Sequence, residues 1–377
     1  MNNMDNLIDQ CSDSSIVNLK TGKFYLGIDP TGEGIHIGHL IPIKLAITLL
    51  EKGMTGIILI GGFTGQIGDP TDKNECRKKL DENATNNFSS GILKDVQTIF
   101  QPFEKQITFV NNKDWLDSFK LSEYLNISYH ISVSRKLHLE TFQNRLSKSL
   151  SLSNTEFIYP DIQMIDFLHL FNVYNCNIQI GGADQWGNIA YGVHYVKKIT
   201  SSKDIYGVCT PLLLSKGKKI SKSVGSPSFV NDAFSLYQHC IQMSDETIHQ
   251  LYGIFAQDAL RAESHKIDRE NIILEIFRIS YPMDFIIKFK DCQNKTMSIF
   301  NKDITSVEDE LFKETNSDTI INIIHICNSW SKSEIRRKLS ENAISVNGDK
   351  ITDNIILIQG KYKIKIGQKN IICVNII

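Results

Sequence analysis

The stretch GIHIGHLIP sets His36 and His39 three residues apart around Gly38, at the entrance of an apolar run that continues as IKLAITLL. Three kinds of chemistry suit two imidazoles there. They can be helix-start histidines with ordinary hydrogen bonds, or metal ligands, although no third ligand of suitable spacing lies nearby. They can also serve an anion site, because a helix N-terminus presents free backbone N–H groups to which imidazole donors would add. Gly34 and Gly38 would let such a ligand approach the backbone closely. A second stretch, KGKKISKS, supplies Lys219 and Lys222 with Ser221 and Ser223 on a polar connection. Alone it reads as a solvated charge run; with the histidines it can clamp a polyphosphate from the opposite side. A third set, Tyr159, Gln163 and Asp166, is spaced i, i+4, i+7 and shares one face of a helix that also carries Ile162, Met164, Ile165, Phe167 and Leu168. An amide and a carboxylate need partners if buried, so this face is a satisfied core network, a solvent stripe or a ligand site.

The elements that must position these groups follow from hydrophobic period and turn chemistry. KFYLGID reads as a strand, PTGEG as a turn, HIGHLIPIKLAITLLEKG as a helix ended by Gly53, and TGIILIGG as a strand apolar on both faces. That order begins a doubly wound parallel sheet, which binds its ligand at the carboxyl ends of the strands. From about Asp72 to Asn154 the pattern is helical and charged. TEFIYPDIQMIDFLHLF then forms a helix, CNIQIGG a strand, and GVCTPLLLSKGKKISKS a last core strand followed by a polar loop. Beyond Pro227, AFSLYQHCI, ETIHQLYGIFA and ENIILEIFRISY read as helices, and FNKDITSVEDELFKETNSD as a linker. In the tail, Ser331 and Glu334 form a capping box for a helix bearing Lys332, Arg336, Arg337 and Lys338, and VNGD marks a hairpin between ISV and KIT.

Composition narrows the class. With 377 residues the chain suits two or three domains, and its 41% hydrophobic and 22% charged content is that of an ordinary globular protein. No apolar run reaches membrane-spanning length, and the acidic, polar start lacks the marks of a signal or transit peptide, so the expected compartment is the cytoplasm. The eight cysteines are scattered singly, as reduced residues would be. A net charge of −1 encodes no general attraction to nucleic acid, but from Ser331 onward nine basic residues face four acidic ones. Any contact with nucleic acid is therefore expected to be local.

At this point the motifs acquire a family. His36-Ile37-Gly38-His39 and Lys219-Ile220-Ser221-Lys222-Ser223 resemble the two signature motifs of class I aminoacyl-tRNA synthetases. FYLGIDPTGEGIHIGHL, GGFTGQIGDP and QIGGADQWGN are similar to the tyrosyl-tRNA synthetase branch in its bacterial or organellar form. The similarity runs from Phe24 to Ser223 and returns in the tail, which resembles a small RNA-binding domain. The middle, to about Asp303, matches loosely, and Leu26 stands where the family commonly carries a polar group.

The resemblance implies an α/β protein: a Rossmann-type catalytic domain with a helical insertion (1–223), a helical anticodon-recognition domain (224–303), a linker (304–330) and a small α+β RNA-binding domain (331–377). It implies that Tyr25 and Asp166 hold the phenolic hydroxyl of tyrosine, that Tyr159, Gln163 and Asp69 receive its ammonium group, and that Gln179 assists. ATP would meet Gly27, Asp29, Gly38, Thr64, Gly181, Asp184, Gln185 and Lys222. Thr31, His36, His39, Lys73, Arg77, Lys219 and Lys222 would stabilise the transition state, with Mg2+ accompanying ATP and no tightly bound cofactor. Lys332, Arg336, Arg337 and Lys338 would contact tRNA(Tyr), and the protein would be a homodimer. The implied reaction is tyrosine activation followed by transfer to tRNA. The alternatives are a paralogue that activates tyrosine or an analogue with altered tRNA use, and a non-catalytic RNA-binding protein on the same fold. A dinucleotide-dependent dehydrogenase lacks its glycine fingerprint.

Overall fold

The computed structural model describes residues 7–11, 21–32, 34–71, 81–215, 218–219, 232–255, 269–301, 313–328, 330–367 and 370–377. Six strands build the main sheet: β1 (Gln10–Cys11), β2 (Lys23–Ile28), β3 (Thr55–Ile60), β4 (Ile107–Asn111), β5 (Ile178–Gly182) and β6 (Tyr206–Thr210). Their spatial order is β1-β6-β5-β2-β3-β4, parallel throughout except for the short edge pair β1 with β6. The chain winds outward from β2 through β3 to β4, then returns to the other side of β2 for β5 and β6. The switch point therefore lies between β2 and β5, where a doubly wound sheet opens its ligand crevice.

Helices cover both faces, which is why β3 is buried at five of its six positions. On one face α1 (Leu40–Glu51) packs beside β2 and β3. On the same side, after α2 (Thr64–Ile67), lies α3 (Glu82–Ile99), and Leu45, Leu49, Ile92 and Val96 share a core with Phe24 and Ile58. The other face begins after β4 with four short helices: α4 (Lys113–Leu116), α5 (Leu121–Ser128), α6 (Val133–Leu137) and α7 (Glu140–Ser147). They lead to α8 (Asn154–Tyr174) and α9 (Trp186–Thr200), whose Met164, Phe167, Tyr195 and Val196 pack with Tyr25 and Ile57.

Ser153 caps α8 by accepting from the Glu156 N–H, while the Glu156 carboxylate accepts from the Ser153 N–H. Pro160 sits inside this helix without ending it. The sequence reading treats 72–154 as wholly helical and so misses β4. Its five residues form a partly exposed edge strand wedged between helices, too short to show an alternating period.

After β6 the chain makes a small hairpin, β7 (Leu214–Ser215) with β8 (Lys218–Lys219), where the sequence suggests a loop. Four helices follow: α10 (Ala233–Gln242), α11 (Asp245–Phe255), α12 (Arg269–Ser280) and α13 (Phe285–Asn301). Their Leu236, Ile248, Ile276 and Phe277 belong to the same apolar cluster as α1, so the helical region is anchored on one face of the sheet domain.

The carboxyl-terminal unit has its own core. It contains β9 (Lys313–Thr315), α14 (Ile320–Asn328), α15 (Lys332–Ser340), β10 (Ile344–Val346), β11 (Asp349–Ile351), β12 (Gly360–Ile366) and β13 (Asn370–Ile376). The strand order is β11-β10-β12-β13-β9, with β9 parallel to β13. Residues 313–328, read from sequence as part of the linker, contribute a strand and a helix to this unit, because Ile320, Ile323 and Ile324 are buried in the core formed by its sheet and α15. Asn347 and Gly348, with φ of 52° and 101°, make the expected hairpin turn.

Candidate active site

The ends of β2, β3 and β5 converge on a cavity of about 760 Å³, within the range of small-molecule sites. Thirteen sequence-derived candidates in the catalytic region with placed side chains line it: Tyr25, Asp29, Thr31, His36, His39, Thr64, Asp69, Tyr159, Gln163, Asp166, Gln179, Asp184 and Gln185. The backbone of Gly27, Gly38 and Gly181 completes the wall, and Leu26 joins it. The α8 face of Tyr159, Gln163 and Asp166 is thus neither a closed core network nor a solvent stripe.

At the apolar end, Asp166 is 2% exposed and accepts from Asn112 Nδ2 and Trp115 Nε1, each at 2.9 Å. Both donors are neutral. Burial pushes its pKa up to about 7, with the charge of Asp29 adding and the two hydrogen bonds opposing. Beside it the Tyr25 hydroxyl is fully buried without a hydrogen-bond partner, as are Gln163 Oε1 and Gln179 Oε1. Burial, and then the Asp166 charge, hold the Tyr25 phenol well above its ordinary pKa, so it stays an O–H donor. Three orphaned polar atoms around one buried carboxylate describe a place for a ligand with polar groups of its own.

A chain of hydrogen bonds frames that place. Tyr159 donates its hydroxyl to Asp29 Oδ2 at 2.6 Å, and Thr64 Oγ1 donates to Asp29 Oδ1 at 2.7 Å. Asn112 Nδ2 reaches Thr64 Oγ1 at 3.0 Å as well as Asp166, closing the chain. A Cβ on Gly61 would stand 1.9 Å from Asp29 Oδ1 and 2.5 Å from Thr64 Oγ1, so this network requires glycine there. Asp29 and Thr64 therefore brace Tyr159 and Asn112 as well as lining the cavity. Asp69 accepts from the Thr71 N–H and hydroxyl at 2.9 and 2.6 Å and from the Gln185 amide. That joins a group expected beside the amino acid to one expected beside the nucleotide.

At the other end, Nδ1 of His36 accepts from the Gly38 N–H at 3.1 Å, and Nδ1 of His39 accepts from the His36 N–H at 3.2 Å. Each neutral ring then carries its proton on Nε2. The rings lie 3.7 Å apart, and the buried Asp95 carboxylate holds the preceding loop through the Ile35 N–H at 2.8 Å. Among the described residues no cluster of three His, Cys, Asp or Glu side chains is placed to hold a metal ion.

Lys73, Arg77, Ser221, Lys222 and Ser223 lie outside the described residues, and of Lys219 only the backbone, in β8, is described. On α15, Lys332 and Arg336 are exposed, while Arg337 and Lys338 pair with Glu341 at 3.7 and 2.9 Å. Sequence reasoning missed Asn112 and Trp115. Their only local signal is the NNKDW that follows the overlooked β4.

A second cavity, of about 740 Å³, adjoins the first through Thr71 and Asp184 and is lined by Arg135, His138, Arg145 and Lys148.

The family of class I tRNA synthetases for tryptophan and tyrosine matches residues 19–273 of the chain. A tyrosine–tRNA ligase of Staphylococcus saprophyticus is 31% identical over 370 residues, covering 90% of this chain and 87% of the relative. Among solved structures, the carboxyl-terminally truncated mitochondrial tyrosyl-tRNA synthetase of Coccidioides posadasii superposes with a TM-score of 0.63 at 21% identity, over 77% of this chain and 88% of its own. That of Aspergillus nidulans gives 0.64 at 22% identity, over 78% and 92%. These likenesses confirm the fold.

Proposed function

Because the chain belongs to the class I tRNA synthetases of the tryptophan and tyrosine type, we propose that it is a tyrosine–tRNA ligase. The observation that carries the amino-acid assignment is the unpartnered Tyr25 hydroxyl beside Asp166 at the buried end of the cavity. A phenol placed there gives both groups a partner, whereas phenylalanine leaves them unpaired, the established basis of tyrosine selection in this family. The ammonium group of tyrosine lies toward Gln163, Tyr159 and Asp69, and Gln179 closes the pocket.

In the first step a carboxylate oxygen of tyrosine attacks the α-phosphorus of ATP. The bond from that phosphorus to the bridging oxygen breaks, and pyrophosphate leaves with the electron pair. In the second, a ribose hydroxyl of the tRNA's terminal adenosine attacks the acyl carbon, AMP departs, and the hydroxyl proton passes to solvent or phosphate. The substrates bring their own nucleophiles, so the protein's task is alignment and charge stabilisation. The Nε2–H groups of His36 and His39 at the start of α1, with Thr31, serve the phosphates. Lys73, Arg77, Lys219 and Lys222 supply the cations, and Asp184 and Gln185 with the glycine backbone at 27, 38 and 181 receive the ribose and base. Mg2+ would enter with the polyphosphate and offset its charge; among the described residues no cluster of three His, Cys, Asp or Glu side chains is placed to hold it.

The second cavity, with its cations beside Asp184, suits the acceptor end of tRNA(Tyr), and the exposed basic face of α15 suits its backbone. A homodimer is supported by Leu121 and Leu125 on α5 and by Tyr129 at its C-cap, exposed at 72%, 52% and 87% with i, i+4, i+8 spacing, and by Val133 on α6, exposed at 59%. The seven described cysteines are free thiols, and no helix among the described residues is long and apolar enough to cross a membrane. Free thiols suit a reducing compartment such as the cytoplasm.

Tyrosine-dependent ATP–pyrophosphate exchange, with phenylalanine as control and a parallel charging assay, tests this function. Exchange with tyrosine alone, followed by charging, is the expected result. Exchange without charging would reassign the chain to the paralogue reading, and no exchange from folded protein would overturn tyrosine activation.

A further inference from the structure

We infer that His169 is a positioning residue for tyrosine selection, bracing the Trp115 indole so that its N–H stays on Asp166; the inference rests on the tyrosine-activating function proposed above. The two rings stack face to face, 4.3 Å between centroids and 12° between planes. Trp115 Nε1 donates to Asp166 Oδ1 at 2.9 Å. His169 follows Asp166 by three residues on α8, so one helix turn supplies both the carboxylate and the ring that aims its donor.

Trp115 packs at the edge of the apolar cluster of α8 and α9, and His169 is the ring stacked on its face. Trp115 stands on α4, a helix of four residues, far below the length at which a helix holds its own shape. The plane of the indole is therefore set by what it packs against. A tilt of that plane swings Nε1–H away from Oδ1, and a hydrogen bond weakens steeply as its angle closes. Asp166 would then keep only Asn112 as a donor and would lose the restraint that turns its carboxylate toward the phenol site.

His169 does not line the substrate cavity, so its influence has to pass through Trp115. It is half-buried, the Tyr174 ring lies 6.4 Å away, and burial holds its pKa below the ordinary value. The ring is uncharged at neutral pH and adds no positive charge next to Asp166.

The test uses the full chain and four variants: His169→Ala, His169→Phe, Trp115→Phe, and the double variant H169A/W115F. Tyrosine-dependent pyrophosphate exchange is measured for each, with the KM for ATP as an internal control and thermal melting as a check on folding. H169A is expected to raise the KM for tyrosine about three- to tenfold, the range of an aromatic pair, with kcat and the KM for ATP within about twofold. H169F, which keeps a flat ring, restores the tyrosine KM. In the W115F background, where no indole N–H remains to aim, H169A adds no further change.

A lowered melting temperature with an unchanged tyrosine KM would make His169 a packing residue and overturn the inference. So would failure of H169F to restore the KM, or additive effects in the double variant. Absence of tyrosine-dependent exchange from the unmutated chain would instead overturn the proposed function, and the inference with it.

Discussion

One helix, α8, buries carboxylates on two sides, and the two sides are satisfied in opposite ways. Away from the cavity, Asp161 receives the Lys136 ammonium and the hydroxyls of Tyr124 and Tyr191, and Glu156 receives Arg145 through both oxygens at 2.9 and 3.2 Å. Facing the cavity, Asp166 receives only the neutral Asn112 and Trp115. The first arrangement neutralises charge inside the protein and pins α5, α6, α7 and α9 to α8. The second leaves a carboxylate under-compensated, its pKa raised to about 7, with capacity to accept one more donor. Structure is built from the saturated groups, and the ligand site from the group left short.

The largest effect expected from breaking this contrast is on the saturated side. Asp161→Ala leaves Lys136, 4% exposed at its side chain, without its counter-charge, and should cost about 3–5 kcal/mol of stability. Urea unfolding measures it; a loss below about 1 kcal/mol would show that the network is not a strut.

The next is a pH effect at Asp166. Its folded pKa of about 7 lies above the ordinary aspartate value of 3.8, so between those two values the folded state holds a proton that the unfolded state has released. Stability contributed by the group is therefore present at low pH and lost as pH rises, at up to about 1.4 kcal/mol per pH unit within that window. The unfolding free energy of wild type minus that of Asp166→Asn, followed from pH 4 to 8, should fall and then level off. A rising difference would contradict the reading.

At fixed pH near 7.5 the same variant sharpens the comparison from the functional side. D166N should be as stable as wild type or more so, yet lose about tenfold to a hundredfold in kcat/KM for tyrosine, the range for an unpaired buried polar contact. The smallest effect belongs to Tyr25→Phe. Removing a buried hydroxyl that lacks a partner in the free protein should raise stability by about 1 kcal/mol, while tyrosine activation falls severalfold. Calorimetry beside pyrophosphate exchange would detect a variant that loses both, which would mean the hydroxyl is already paired.

Much of this arrangement is legible in the sequence. The strand, turn, helix and strand around His36 and His39 follow from hydrophobic period and punctuation. Likewise, the i, i+4, i+7 spacing placed Tyr159, Gln163 and Asp166 on one face, and all three meet in one cavity. What escaped was the edge strand β4 and, with it, Asn112 and Trp115. A five-residue strand between charged helices shows no period, and the residues that hold Asp166 lie 54 and 51 positions away along the chain. The linker reading failed at 313–328 for a related reason, since KET and the isoleucines of α14 become a strand and a helix only when β13 and its neighbours are beside them.

The sequence by itself determined the doubly wound sheet, the chemical identity of the site's groups and the family, because these rest on local periodicity and on motifs whose residues are close in the chain. The tertiary structure alone decided which polar groups are satisfied and which are left for a ligand. Tyr159 finds Asp29 across 130 positions, while Tyr25 finds nothing. Hydrogen-bond satisfaction in a buried site depends on distances of a few tenths of an ångström between segments remote in sequence, and only folding sets those distances.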